Sequence, residues 1–220
     1  MPYALTWKSP ALAELAERQD GVVSRGQLRQ IGIDAATVET RVLTERWSTW
    51  GPRVVLLQNA QPTRSQLRWA GLLHASDWSG GTAVLCGATG AEVDGLRGFE
   101  SDDVHVIVRR GVHVPPYPGL KVHESRRFAP EDVHPVRTPP RLRTQRSVVD
   151  LASWRRPPRL ACAVLAASVQ QRVCRVGELD EVLDSAGRIR HAGLMRRVLE
   201  DIGGGAHSLA EIDVGRVCRR

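Results

Sequence analysis

Thr37, Thr40 and Thr44 are spaced three and four apart, and Arg41 lies four beyond Thr37 and three before Thr44, so a helix opening at Asp34 and running to about Glu45 would carry three hydroxyls and a guanidinium along one side. Side chains of that kind, short and polar or planar and cationic, reach the edges of base pairs when a helix lies in a major groove. Arg25, Arg29, Arg46 and Arg53 bracket the stretch, and guanidinium forks suit phosphate oxygens. The chemistry this predicts is recognition of double-stranded DNA by hydrogen bonding and charge, with Arg41 as the reader of a base or a phosphate. The plainer alternative makes Arg41 a solvated helix charge and the threonines ordinary exposed residues.

Bond-making chemistry finds less support. Cys86, Cys162, Cys174 and Cys218 are widely separated, and no HExxH or paired-histidine spacing occurs, so no metal site and no catalytic residue is assigned. The cysteines read as small buried hydrophobes. TAVLCGATGAEV, with Gly87 and Gly90 between a strand and a helix, imitates a dinucleotide-binding turn followed by Arg109 and Arg110 as a phosphate clamp. Val93 stands where that fingerprint needs its third glycine, so the stretch reads as a turn into a short packing helix and no cofactor is expected. His105 and His123 fall in the polar phase of strands and read as half-exposed sheet residues.

The elements that would position the Asp34 helix are announced by their ends. Ser9 as N-cap and Pro10 at the first helical position open one helix that closes before Gly21. Ser24 with Gln27 has the form of a capping box and opens a second, which closes at Gly32 after about two turns. Asp34 caps the third, with Ala35, Val38, Val42 and Leu43 as its inward stripe. TWGPRVVLL then supplies a Gly-Pro turn and a β-branched run, a hairpin over Trp50 to Leu57. Three helices and a hairpin predict a winged helix-turn-helix.

The rest of the chain is mixed. Thr63 with Gln66 opens a helix to about Ala75; strands are expected at 82–86, 104–108 and 120–123, with a short helix near 91–96 and another from Arg146. From Arg159 onward the pattern is helical, ending in SLAEIDVGRVCRR with Ser208 as N-cap. The predicted class is α+β, with a winged helix-turn-helix at 1–60, a mixed α/β domain at 61–156 and a helical region at 157–220. RTPPRLRTQR, Arg137 to Arg146, is the densest basic run; it reads as a solvated connector ahead of a DNA-backbone clamp.

Of the 220 residues, 31 are basic and 24 acidic, a formal charge of +7 that favours a polyanionic partner without identifying one. Only Lys8 and Lys121 are lysines, an arginine bias that genome composition explains as readily as phosphate recognition. The N-terminus lacks a signal-peptide pattern and the longest apolar run, LACAVLAASV, is about half a membrane span, so a cytoplasmic protein with no membrane partner is expected.

GVVSRGQLRQIGIDAATVETRVLTERW followed by GPRVVLL resembles the N-terminal winged-helix domain of the AbiEi-type antitoxins and their actinobacterial relatives. VHVIV, GLKVHES, PEDVHPVRTPPRLRTQRSVVDLA and GGGAHSLAEIDVGRVCRR follow the same proteins in the same order. The resemblance implies a DNA-binding first domain that represses its own operon and a second region that neutralises a nucleotidyltransferase toxin. Many relatives continue past the SLAE helix into a domain similar to very-short-patch-repair endonucleases. Glu211 sits where that domain's acidic helix begins, yet its other carboxylates are absent, so Glu211 reads as a capping residue, the chain as a truncated relative, and nuclease activity is not expected. The rival expectation is a protein-binding module that grips a toxin or a second copy of the chain, with the winged helix incidental.

Overall fold

The computed structural model describes residues 9–204. The expected SLAE helix, with Ser208, Glu211 and Cys218, lies outside the described residues. The fold is α+β, with two small sheets among the helices. The described residues divide into two compact units, 9–84 with 106–126 and 85–105 with 127–204.

In the first unit, α1 (Pro10–Arg18) begins where the Ser9 hydroxyl accepts from the Leu12 N–H and Pro10 fills the first position. A short strand β1 (Val22–Ser24) follows, then α2 (Arg25–Gln30), α3 (Ala35–Leu43), β2 (Ser48–Trp50) and β3 (Val54–Leu56). β3 pairs antiparallel with β1 on one side and β2 on the other, with Val22 opposite Leu56 and Ser48 opposite Leu56. Leu12, Val23, Leu28, Ile33, Val38, Trp47, Val55 and Leu57 form the core beneath the three helices.

α4 (Arg64–Trp78) starts on a reciprocal capping box between Thr63 and Gln66. It lies on β1 and β3, and the buried Gln66 donates to the Asp20 carbonyl at 3.0 Å. This helix therefore completes the N-terminal unit, so the compact units do not follow lines drawn at residues 60 and 156. β5 (Val104–Arg109) and β6 (Leu120–Ser125) contribute their 106–126 portion to the same unit, and a second sheet runs in the order β4 (Val84–Leu85), β5, β6.

The second unit is helical: α5 (Gly87–Val93), α6 (Thr144–Trp154), α7 (Pro158–Gln170), α8 (Val176–Ser185) and α9 (Ala192–Gly203). Its core joins Val148, Leu151, Leu165, Leu179, Leu183, Met195 and Leu199. Gly87 and Gly90 serve this packing. Gly87 has φ +48, and a Cβ there would strike the Trp154 ring, while a Cβ on Gly90 would strike the Ser147 hydroxyl. Both glycines are buried, so the stretch that imitates a phosphate-binding turn is a close helix approach with no open cradle. Cys86, Cys162 and Cys174 are buried.

Candidate nucleic-acid interface

The α2–turn–α3 segment is built from local signals. The Gln27 N–H donates to the Ser24 hydroxyl at 3.0 Å and Ser24 N–H to Gln27 Oε1 at 2.8 Å, which closes the capping box and fixes where α2 begins. Gly32, at φ +83, turns the chain, and Ile33 N–H donates back to the Leu28 carbonyl at 2.9 Å. Asp34 then caps α3 by accepting the Thr37 N–H at 2.7 Å, and that backbone hydrogen bond holds its carboxyl below the usual range.

α3 buries Val38 and half-buries Val42. Leu43, expected on the inward stripe, is instead 81% exposed, and Ala35 is also exposed. The reason is phase: at 100° per residue Leu43 stands about 140° from Val38, whereas Val42 stands about 40° from it. The solvent side of α3 is thus Ala36, Glu39, Thr40 and Leu43.

The eight residues expected at a DNA surface are distributed as follows. Thr40 and Thr44 are exposed, and Thr37 and Arg41 are half-exposed on the same helix. The Thr40 hydroxyl donates to the Ala36 carbonyl at 2.9 Å and the Thr44 hydroxyl to the Thr40 carbonyl at 2.8 Å. Each therefore presents lone pairs and a methyl outward, not a proton. Arg25 on α2 reaches across to Glu39 on α3, Nη1 to Oε1 2.8 Å. Arg29 on α2 and Arg46 just after α3 are exposed.

Arg53 has a different setting from the other seven. It forms an ion pair with Asp77 on α4, and its guanidinium carbon stacks 4.0 Å above the Trp78 ring. The turn between β2 and β3 is anchored as well. Gly51, φ +67, donates its N–H to the Tyr117 hydroxyl at 2.8 Å, and the Trp50 and Tyr117 rings lie 4.1 Å apart. His74 completes the cluster edge-on to Trp50, with Nε2 3.3 Å from the Pro115 carbonyl. A carbonyl only accepts, so Nε2 carries the proton and the buried Nδ1 is left without a hydrogen-bond partner. Burial pushes the His74 pKa down, which keeps the ring neutral.

Residues 9–60 hold six arginines and six carboxylates, so this segment carries no net formal charge. Sequence reasoning missed Glu39, Leu43, Asp77, Trp78 and Tyr117. Glu39 and Leu43 had a usable signal in the helical phase; the others are brought in from α4 and the loop before β6, which no local pattern announces.

The basic run at 137–146 proves not to be a solvated connector. Asp94, whose side chain is 1% exposed, accepts from Arg137, from Arg141 Nε at 2.7 Å and from the Thr144 hydroxyl at 2.6 Å. Arg143 donates to the Glu131 carbonyl, and Arg146 pairs with Asp132 at 2.9 Å and Asp150 at 3.1 Å. Of these arginines only Arg141 is buried, while Arg137 and Arg143 are exposed. Burial pushes the Asp150 carboxyl up to about 6 against the pull of Arg146. Burial, and then Asp150, push the Cys86 thiol well above its ordinary range, so it stays protonated and is no nucleophile.

Among the described residues no group of histidines, cysteines and carboxylates could hold a metal ion, and no helix is long and apolar enough to cross a membrane. Comparison of the chain with protein-family models finds no match, and comparison with curated proteins finds none either.

Proposed function

We propose that this chain is a DNA-binding transcriptional regulator whose N-terminal unit is a winged helix-turn-helix. The observation that carries the reading is the order of elements, α1, β1, α2, α3, β2, β3, with β3 central in an antiparallel sheet. In that arrangement a tight turn joins α2 to α3, α3 keeps one side in solvent, and Arg29 on α2 and Arg46 just after α3 are exposed. A helix of this diameter fits the major groove, and exposed arginines at its rim suit the phosphates on either side. The resemblance to AbiEi-type antitoxins supports autorepression of an operon, a cognate toxin as a second partner, a homodimer on a two-fold site, and a cytoplasmic protein that works by binding and not by catalysis.

The β2–β3 turn has a reduced role in this reading. Its arginine, Arg53, is engaged by Asp77 and Trp78, so the phosphate contacts are assigned to the exposed Arg29 and Arg46. Fluorescence anisotropy with a duplex from upstream of the gene tests this. Arg29→Ala and Arg46→Ala should each weaken binding and lower the salt slope by about one, while Arg53→Ala leaves the slope unchanged. Absence of binding even at low salt, or slopes unaffected by Arg29 and Arg46, overturns the reading.

A further inference from the structure

The solvent side of α3 has a hydrogen-bonding polarity of its own. Glu39 presents a carboxylate, 55% exposed, that is steadied by Arg25 at 2.8 Å. Thr40 has committed its hydroxyl proton to the Ala36 carbonyl and offers lone pairs and a methyl. Ala36 is exposed, and Leu43, one turn beyond Glu39, is 81% exposed. These four residues supply acceptors and apolar surface and no side-chain donor.

The edges of base pairs that complement such a face are few. Cytosine N4 and adenine N6 are the amino donors of the major groove, and the thymine C5 methyl is its apolar group. Guanine presents O6 and N7, two acceptors, and would set like against like beside Glu39. Arg29 on α2 and Arg46 just after α3 are exposed and suit the phosphates.

We infer that Glu39, and not an arginine, selects the base read by α3: it accepts a hydrogen bond from cytosine N4, while Leu43 and Ala36 seat a neighbouring thymine methyl. The inference rests on the DNA-binding reading above. Arg25 is a positioning residue, which holds the Glu39 carboxylate in one rotamer and offsets its charge near the phosphates. The occupant of this face is duplex DNA, because its pattern of acceptors and apolar groups has a direct counterpart in base edges.

The test is selection of binding sites from a random duplex library by the full chain, repeated with Glu39→Ala, Glu39→Gln, Arg25→Ala, Arg25→Lys and Leu43→Ala, each checked for folding by circular dichroism. The wild-type motif should contain a cytosine whose preference falls about tenfold in Glu39→Ala, with affinity for random DNA undiminished. Glu39→Gln should move that position toward adenine, since an amide pairs with adenine N6 and N7. Arg25→Ala should broaden the same position and Arg25→Lys restore it, and Leu43→Ala should relax an adjacent thymine. A wild-type motif left unchanged by Glu39→Ala overturns the inference while leaving DNA binding intact. No enriched duplex at low salt removes the DNA-binding reading and the inference with it. If Leu43→Ala leaves the motif unaltered and converts a dimer to a monomer on sizing, the face is a self-association surface and the inference is overturned.

Discussion

Replacing Asp94 with alanine separates two views of the arginine run at 137–146. Asp94 is 1% exposed at its side chain and accepts from two guanidiniums and a hydroxyl, so it ties the end of α5 to the start of α6. Removing it leaves Arg141, 8% exposed at its side chain, as a buried cation whose remaining acceptor among the described residues is the Pro139 carbonyl at 3.0 Å. Stranding one member of a buried pair costs about 3–5 kcal/mol. Arg137→Ala removes the outer partner, 43% exposed, and should cost about 0–1 kcal/mol. At about 2–4 °C per kcal/mol for a chain of this size, Asp94→Ala should lower Tm by about 6–20 °C and Arg137→Ala by no more than about 4 °C. Thermal unfolding followed by circular dichroism measures both, and anisotropy on DNA gives the salt slope of Arg137→Ala. The internal pairing predicts an unchanged slope. A slope that falls by about one with Tm unmoved, or equal destabilisation by both variants, would refute this reasoning and restore the run as a nucleic-acid clamp.

Two further outcomes follow from groups in each unit. Asp150 has a folded-state pKa of about 6 against 3.8 for an ordinary aspartate, so its contribution to stability is fully present below about pH 4 and is lost as pH rises through about 6. The shift corresponds to about 3 kcal/mol; Asp150→Asn should flatten the fall in Tm as pH rises from 3.8 to about 6, and parallel profiles for the two proteins count against it. In the first unit, Tyr117→Phe keeps the ring on Trp50 but removes the acceptor of the Gly51 N–H, at a cost of about 1–3 kcal/mol. Amide exchange at Gly51 should speed up markedly, and unchanged protection there would mean that the hydroxyl does not anchor the turn.

The parts of this fold legible in the sequence are those set by neighbours a few residues apart. Ser9 with Pro10, Ser24 with Gln27, Asp34 with Thr37, and Thr63 with Gln66 each mark a helix start that the structure contains. β1 was not legible, because three residues gain their strand character only by pairing with β3, some thirty residues downstream. Arginine roles were harder still. Arg25 finds Glu39, Arg53 finds Asp77, and Arg137 and Arg141 find Asp94, all across sequence separations that carry no periodic signal. The misplaced phase of Leu43 has another cause: a leucine at the end of a helix reads as core unless the angle from the buried Val38 is worked out.

The chain leaves the first unit after residue 84, returns at 106 and leaves again after 126. During synthesis, Tyr117 and Pro115 emerge well after α1, β1, α2, α3, β2 and β3, so the turn they anchor stays unsupported until residue 117 has cleared the ribosome. A fragment stopping at residue 60 lacks α4 as well and bares the faces of β1 and β3, an invitation to aggregate. Isolating the N-terminal unit for study therefore calls for splicing 106–126 back onto 1–84, not for a simple cut.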